Sequence, residues 1–314
     1  MSGLVDIHHH GALGAEYGVD GEGSRRAAAH HRAAGADRLV ASLVSAPPAT
    51  LERQVATLAP LVADGTLAGI HLEGPFLAGS RCGAHDPAAL AAPDPALVER
   101  LAAAAEAHGA PGALRQLTFA PELPGADALV RTLVALGIRP AVGHTDADAA
   151  TTARTLATVA DLQGAPALVT HLFNAMPPLH HRSGGPVAAA LTAASRGEAV
   201  VELVADGVHV APDVVRMVFE TVGPGHVALV SDAMAATGLG DGTYRLGSLE
   251  VVVEGGTART RGTGAIAGST STLADCVRWA VDVAGLDEAD VLCSATTTPA
   301  TALGLPSVDV GAGA

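Results

Sequence analysis

Short apolar runs alternate with longer Ala-rich segments along almost the whole chain. The apolar runs fall at 4–8, 38–44, 67–72, 116–120, 139–142, 167–171, 200–204 and 227–230, and most are bounded by Gly, Pro or a charged residue. Brief apolar runs closed by turn residues read as buried strands. Between them lie helix-compatible segments near 24–35, 51–63, 94–108, 126–136, 146–160, 186–196 and 212–222, and a last one at 270–284. Strands alternating with helices imply a parallel sheet, and eight such units in one chain predict a closed (β/α)8 barrel of the TIM type. A doubly wound open sheet is the alternative with the same local pattern. The barrel takes in the chain from 1 to 314 as one unit. Between 243 and 261 the pattern changes: Tyr244-Arg-Leu-Gly and Leu249-Glu-Val-Val-Val-Glu-Gly-Gly-Thr predict a β-hairpin with a Gly-Gly turn, an excursion before the last long helix. The Gly-rich stretch after it, 262–269, reads as the lead into that helix, with Ser269 or Thr270 as its cap.

The polar residues that interrupt this pattern sit where the apolar runs end. His8 and His10 close the first run, and Glu73 closes the third just before Gly-Pro. His144 follows the fifth, His171 ends the sixth, Asp206 and His209 follow the seventh, and Asp232 follows the eighth. In a barrel of this type the C-terminal strand ends and the loops after them build the active site. One Glu at a strand end reads equally well as a solvated charge. The recurrence of His and carboxylate at strand after strand does not.

Composition narrows the chemistry. The chain has 314 residues, 49% hydrophobic but only 2% aromatic, so its core is built from Ala, Val and Leu. A net charge of −14 argues against nucleic acid or an anionic membrane as partner, and an anionic substrate then needs a local Arg or a metal. No apolar run is long enough for a transmembrane helix, and the first residues lack a basic start followed by an apolar stretch. Three scattered cysteines, Cys82, Cys276 and Cys293, are too few for a disulfide framework, and a reduced cytoplasmic protein is expected. All 18 basic residues are Arg, which excludes a Schiff-base lysine, a phosphate-loop lysine and a carboxylated metal-bridging lysine.

His8 and His10 lie on one side of an extended chain, a spacing that suits two ligands to one metal, while His9 points away. With Glu73, His144, His171 and Asp232 at other strand ends, the set has the N and O donors that zinc and similar divalent ions prefer. Such an ion acidifies bound water and polarises a carbonyl, and Asp232 is placed to move the proton to a leaving amine.

These residues lie in a series of motifs: Asp6-Ile-His-His-His-Gly11, His71-Leu-Glu-Gly-Pro-Phe76 with Gly83-Ala-His85, Ala120-Pro-Glu122, Val142-Gly-His144, Thr170-His-Leu-Phe-Asn-Ala-Met-Pro177, Ala205-Asp-Gly-Val-His209 and Val230-Ser-Asp-Ala233. In that order the series resembles the N-acetylglucosamine-6-phosphate deacetylases of the metal-dependent amidohydrolase superfamily. The resemblance implies that Glu73, His144 and His171 hold one metal, that His8 and His10 serve a second with Glu73 bridging, and that Asp232 is the catalytic acid/base. Zinc is the first expectation; iron, manganese and cobalt share the ligand set. The resemblance also assigns Asn174, Ala175 and Arg182 to the phosphate, with the Arg reaching into a neighbouring subunit of a homodimer. His209 would meet the amide oxygen or the sugar, and His85 the phosphate end. Cys82 reads as a bystander. The implied reaction is removal of acetate from N-acetylglucosamine 6-phosphate in amino-sugar metabolism. The rival readings are a deacetylase of another N-acetyl amino sugar or of an N-acyl amino acid, and a truncated, non-catalytic sugar-phosphate binder.

Two departures from the family pattern bear on the fold. The chain begins almost on the first barrel strand and ends soon after Thr298-Pro-Ala-Thr-Ala-Leu-Gly304, so only the 243–261 hairpin is expected of the family's small β-sandwich domain. The 243–261 hairpin would then expose its apolar face for want of partner strands.

Overall fold

The computed structural model describes residues 2–306. Eight parallel strands, β1 (Leu4–His9), β2 (Ala36–Val44), β3 (Gly69–Glu73), β4 (Leu114–Phe119), β5 (Arg139–Val142), β6 (Ala167–Val169), β7 (Ala199–Leu203) and β8 (Val227–Leu229), form one sheet in sequence order. That order excludes the doubly wound alternative, which must reverse direction at a switch point. The helices that follow them are α1 (Gly21–Ala33), α2 (Pro48–Ala63), α3 (Pro95–Ala107), α4 (Ala126–Ala135), α5 (Ala149–Gln163), α6 (Gly185–Ser195), α7 (Pro212–Val222) and α8 (Leu273–Asp282).

Helix starts are set by caps. Asp20 accepts from the Gly23 amide and starts α1 three residues earlier than expected, and Asp148 accepts from the Thr151 amide and starts α5 later. Neither Ser269 nor Thr270 caps α8. Thr272 does, in a reciprocal capping box with Asp275, because an acid three residues on can return the hydrogen bond.

The sheet rolls up until β8 meets β1 at a seam that is stitched rather than laddered. The Asp232 amide donates to the His8 carbonyl at 2.9 Å, and the His10 amide to the Ala233 carbonyl at 2.6 Å. Below these bonds, Ser231 Oγ donates to the buried Asp6 carboxylate at 2.6 Å. The seam thus draws the ends of the first and last strands together at the mouth.

The barrel is filled in layers. Val5, Ile7, Val40, Ala141, Leu168, Val200 and Ala228 form the lower, apolar layer. Beneath it pack Ala300 and Ala302 of α10 (Thr297–Ala302), which follows α9 (Glu288–Ala295), and Leu303 just after it. Neither helix was expected, since each is short. Above lies a buried polar layer, with His71 bonded to Ser42 and Thr118, and Thr118 to Thr170.

The 243–261 excursion is a three-stranded sheet, β9 (Gly242–Leu246), β10 (Leu249–Glu254) and β11 (Thr257–Thr260), with the expected Gly-Gly turn between its last two strands. Its apolar face is not left open. Leu246, Val251, Val253 and Ala258 pack on Val44, Met234, Ala235, Ala236 and Ala267 at the barrel rim. The rim supplies the apolar partner that a second sheet was expected to supply.

Candidate active site

The strand-end residues converge on a cavity of about 290 Å³ at the C-terminal mouth. Glu73 is its centre. Its Oε1 lies 3.0 Å from His144 Nε2 and 2.9 Å from His171 Nε2, and the two imidazole nitrogens are 3.1 Å apart. Its Oε2 lies 3.3 Å from His10 Nε2. His10 Nε2 is also 3.3 Å from Asp232 Oδ1. His8 Nε2 lies 3.7 Å from both Glu73 and Asp232 and, although buried, has no hydrogen-bond partner.

The backbone bends to achieve this. His144 has φ 47°, His171 φ 25° and Asp232 φ 49°, the left-handed region that side chains with a Cβ avoid. Each turn sends a side chain from the rim back over the mouth; β6 stops at Val169, before the expected His171, for this reason. Beside His144, a Cβ on Gly143 would come within 2.8 Å of Thr170 and 2.9 Å of Thr118, so only Gly lets the strand ends approach this closely.

The field is strongly negative. Burial alone pushes imidazoles down, yet the hydrogen bonds and charges of Asp232 and Glu73 raise His10 to about 9. Burial pushes Asp232 up, but the His10 hydrogen bond and the charges of His8 and His10 outweigh it and hold the carboxyl well below its usual range. Donor atoms of His8, His10 and Asp232 lie within 4.8 Å of one another, as do those of Glu73, His85 and His144. The unpartnered His8 nitrogen, the clustered carboxylates and a His10 ring whose proton a cation would replace fit a divalent ion with N and O preference.

His85 takes a different part. The Ser45 amide donates to its Nδ1 at 3.1 Å, so the neutral ring carries its proton on Nε2, which faces Glu73 Oε2 at 3.2 Å. Burial holds the ring neutral, with its pKa lowered to about 4. His85 therefore orients Glu73 by donating to it. His209 gives Nδ1 to Asp206 at 2.8 Å and turns Nε2 toward Asp232, 4.0 Å away. Asn174 and Ala175 line the cavity, and the Asn174 amide nitrogen is buried without a partner. Arg182 is exposed on the following loop and does not line the cavity. His9 turns outward and packs against Tyr17 and His31, as expected.

Sequence reading missed two contributions. Glu202, inside β7, lies fully buried against His8 and Gln116. Its one signal is a lone acid in the apolar run Val200-Val-Glu-Leu-Val. The other is the far wall, made by Leu246, Ala265, Ile266 and Gly268 from the small sheet and the segment after it.

No family model matches the chain. It is 33% identical to the N-acetylglucosamine-6-phosphate deacetylase of Bos taurus, over 99% of this chain and 77% of that protein. The chain belongs to the N-acetylglucosamine-6-phosphate deacetylases. An N-acetylgalactosamine-6-phosphate deacetylase of Escherichia coli O157:H7 is 34% identical over 97% of this chain and 78% of its own length. The N-acetyl-D-glucosamine-6-phosphate deacetylase of Mycobacterium smegmatis, solved with N-acetyl-D-glucosamine-6-phosphate, superposes with a TM-score of 0.89 at 44% identity, over 100% of this chain and 80% of that one. The family membership accounts for the order of the motifs and for the barrel that carries them. No helix among the described residues is long and apolar enough to cross a membrane.

Proposed function

We propose that the chain hydrolyses the acetamide of N-acetylglucosamine 6-phosphate to acetate and glucosamine 6-phosphate. The observation that carries this reading is the meeting of Glu73, His144, His171 and Asp232 on one cavity wall, in a chain whose relatives bear that activity in their names. Glu73, His144 and His171 would hold a divalent ion, and His8 and His10 provide for a second beside Asp232. Zinc suits the donors best, with iron, manganese and cobalt as competitors. When bound, the ion supplies a Lewis acid that polarises a carbonyl and acidifies water.

Asp232, a carboxylate beside His8 and His10, takes the proton of the attacking water and passes it to the departing amine nitrogen. His209, anchored through Nδ1 to Asp206, is raised above its ordinary pKa because that hydrogen bond and charge outweigh burial, and as an imidazolium it donates its Nε2 proton to the acetamide oxygen. The free amide of Asn174 and the backbone at Ala175 hold the sugar phosphate. Arg182 completes the phosphate contact from a second copy of the chain, because bidentate Arg suits phosphate and this Arg is exposed away from its own cavity.

The E. coli relative favours a second reading, in which the galactosamine isomer is the substrate. Acetate release from both phosphorylated isomers and from unphosphorylated N-acetylglucosamine, on metal-loaded protein, decides between them. Turnover confined to the glucosamine isomer is the expected result. Preference for the galactosamine isomer installs the second reading, and equal rates on the unphosphorylated sugar remove the phosphate role of Arg182. Folded, metal-loaded protein that binds glucosamine 6-phosphate without any turnover would sink the enzymatic reading.

A further inference from the structure

We infer that Glu202 is a positioning residue for the ligand cluster, its carboxylate holding both the His8 ring and the turn that carries His171. The inference rests on the reading of those two histidines as metal ligands. Glu202 lies on β7, beneath the mouth, with no solvent exposure. Its Oε2 accepts from His8 Nδ1 at 2.9 Å and from the His171 amide at 3.2 Å, and its Oε1 accepts from Gln116 Nε2 at 2.6 Å. Its backbone carbonyl takes the Leu172 amide at 2.8 Å.

Each contact has a consequence for the cluster. A His8 ring that gives its Nδ1 proton to Glu202 keeps its lone pair on Nε2, the atom that faces the gap between Glu73 and Asp232 and has no partner there. A carboxylate behind an imidazole also makes the far nitrogen a better donor to a cation. The second contact fixes a strained turn: His171 sits at φ 25°, and Glu202 ties down the amides of His171 and Leu172 on either side of the bend. One side chain on β7 therefore sets the aim of a ligand from β1 and of another from β6. A buried carboxylate is costly to keep ionised without a countercharge. Among the described residues the only ion-pairing partner Glu202 has is the His8 ring. The charge that balances it therefore reaches it through the imidazole and whatever that imidazole binds.

The test is cobalt(II) titration of metal-free protein, followed by calorimetry and by the visible absorption of the bound ion, on wild type, Glu202→Gln and His8→Ala. Glu202→Gln keeps the size of the side chain. Its new amide proton finds an acceptor when the Gln116 amide flips, since Gln116 Oε1 is otherwise unpartnered. The metal-free variant is therefore expected to melt near the wild type. It is expected to bind more weakly, by roughly 10–100-fold, the equivalent of cobalt that His8→Ala removes, and to shift its absorption band. A variant that melts lower when metal-free but keeps the wild-type isotherm and spectrum overturns the inference and leaves Glu202 a structural residue. Isotherms unchanged in both variants show that His8 is no ligand, and the inference falls with that reading.

Discussion

Three side chains that line the cavity sit on backbone that disfavours them: His144, His171 and Asp232 all have positive φ. Such conformations cost on the order of 1–3 kcal/mol each and persist because the surrounding seam and strand ends over-determine them. If Asp232 moves the proton, Asp232→Asn lowers kcat by about 10²–10⁴-fold. Acetate release on metal-loaded protein measures this, and a loss under tenfold assigns the proton to another group. Outside the barrel wall, burial pushes His31 down from its ordinary 6.5 to about 4, against a hydrogen bond to the Gly11 carbonyl. His9 and His30 face it at 4.6 and 5.8 Å, and Asp6 and Tyr17 complete the cluster. The unfolded chain protonates His31 below pH 6.5 while the folded chain does not until about 4, so its contribution to stability is present above 6.5 and is lost as pH falls through this window. Asp6, raised by burial to about 6, titrates with the opposite sign below that pH. The comparison with His31→Asn therefore isolates the effect: the wild-type Tm is expected to fall more steeply than the variant's between pH 6.5 and 4, and parallel curves would remove His31 as the cause.

The elements themselves were mostly readable because each strand is a short apolar run buried on both faces and each helix an Ala-rich segment with its own cap. Their ends were less so, since caps such as Asp20, Asp148 and Thr272 act through hydrogen bonds that a pattern of hydrophobicity does not contain. Thr272→Ala is expected to destabilise the fold by about 1 kcal/mol through loss of the capping box, measured by urea unfolding. The small sheet was misjudged, because its alternation shows an apolar face without showing what covers it. Val251 and Val253 are buried against the rim. Val253→Ala removes the equivalent of two methylenes, about 2 kcal/mol, and loosens the sheet that carries Leu246 into the cavity wall. A raised KM with kcat held near wild type is the expected kinetic signature; unchanged KM would mean that the sheet does not shape the substrate site.

At the level of the whole molecule, the seam between β1 and β8 accounts for the site. Closing it with the Asp232 amide on the His8 carbonyl brings residues more than two hundred positions apart to within ligand distance. Assembly is the matching question for the phosphate end. If Arg182 acts across a dimer, mixing Asp232→Asn with Arg182→Ala protein and allowing subunits to exchange restores activity, since one site of each hybrid then holds both an intact Asp232 and an intact Arg182 from its neighbour. Activity no greater than the sum of the separate variants would place Arg182 in its own subunit's site or outside the reaction.

The order of residues alone carried the β/α alternation, the absence of lysine, and the recurrence of His and carboxylate at strand ends, because these follow from local periodicity and from side-chain chemistry. The closeness of Glu73 to five imidazole rings, the tautomer of His85, the part played by Glu202 and the cover on the small sheet depended on the folded chain. Each of them is a contact between segments far apart in sequence, and hydrophobic pattern specifies which face of a segment is buried without specifying what it is buried against.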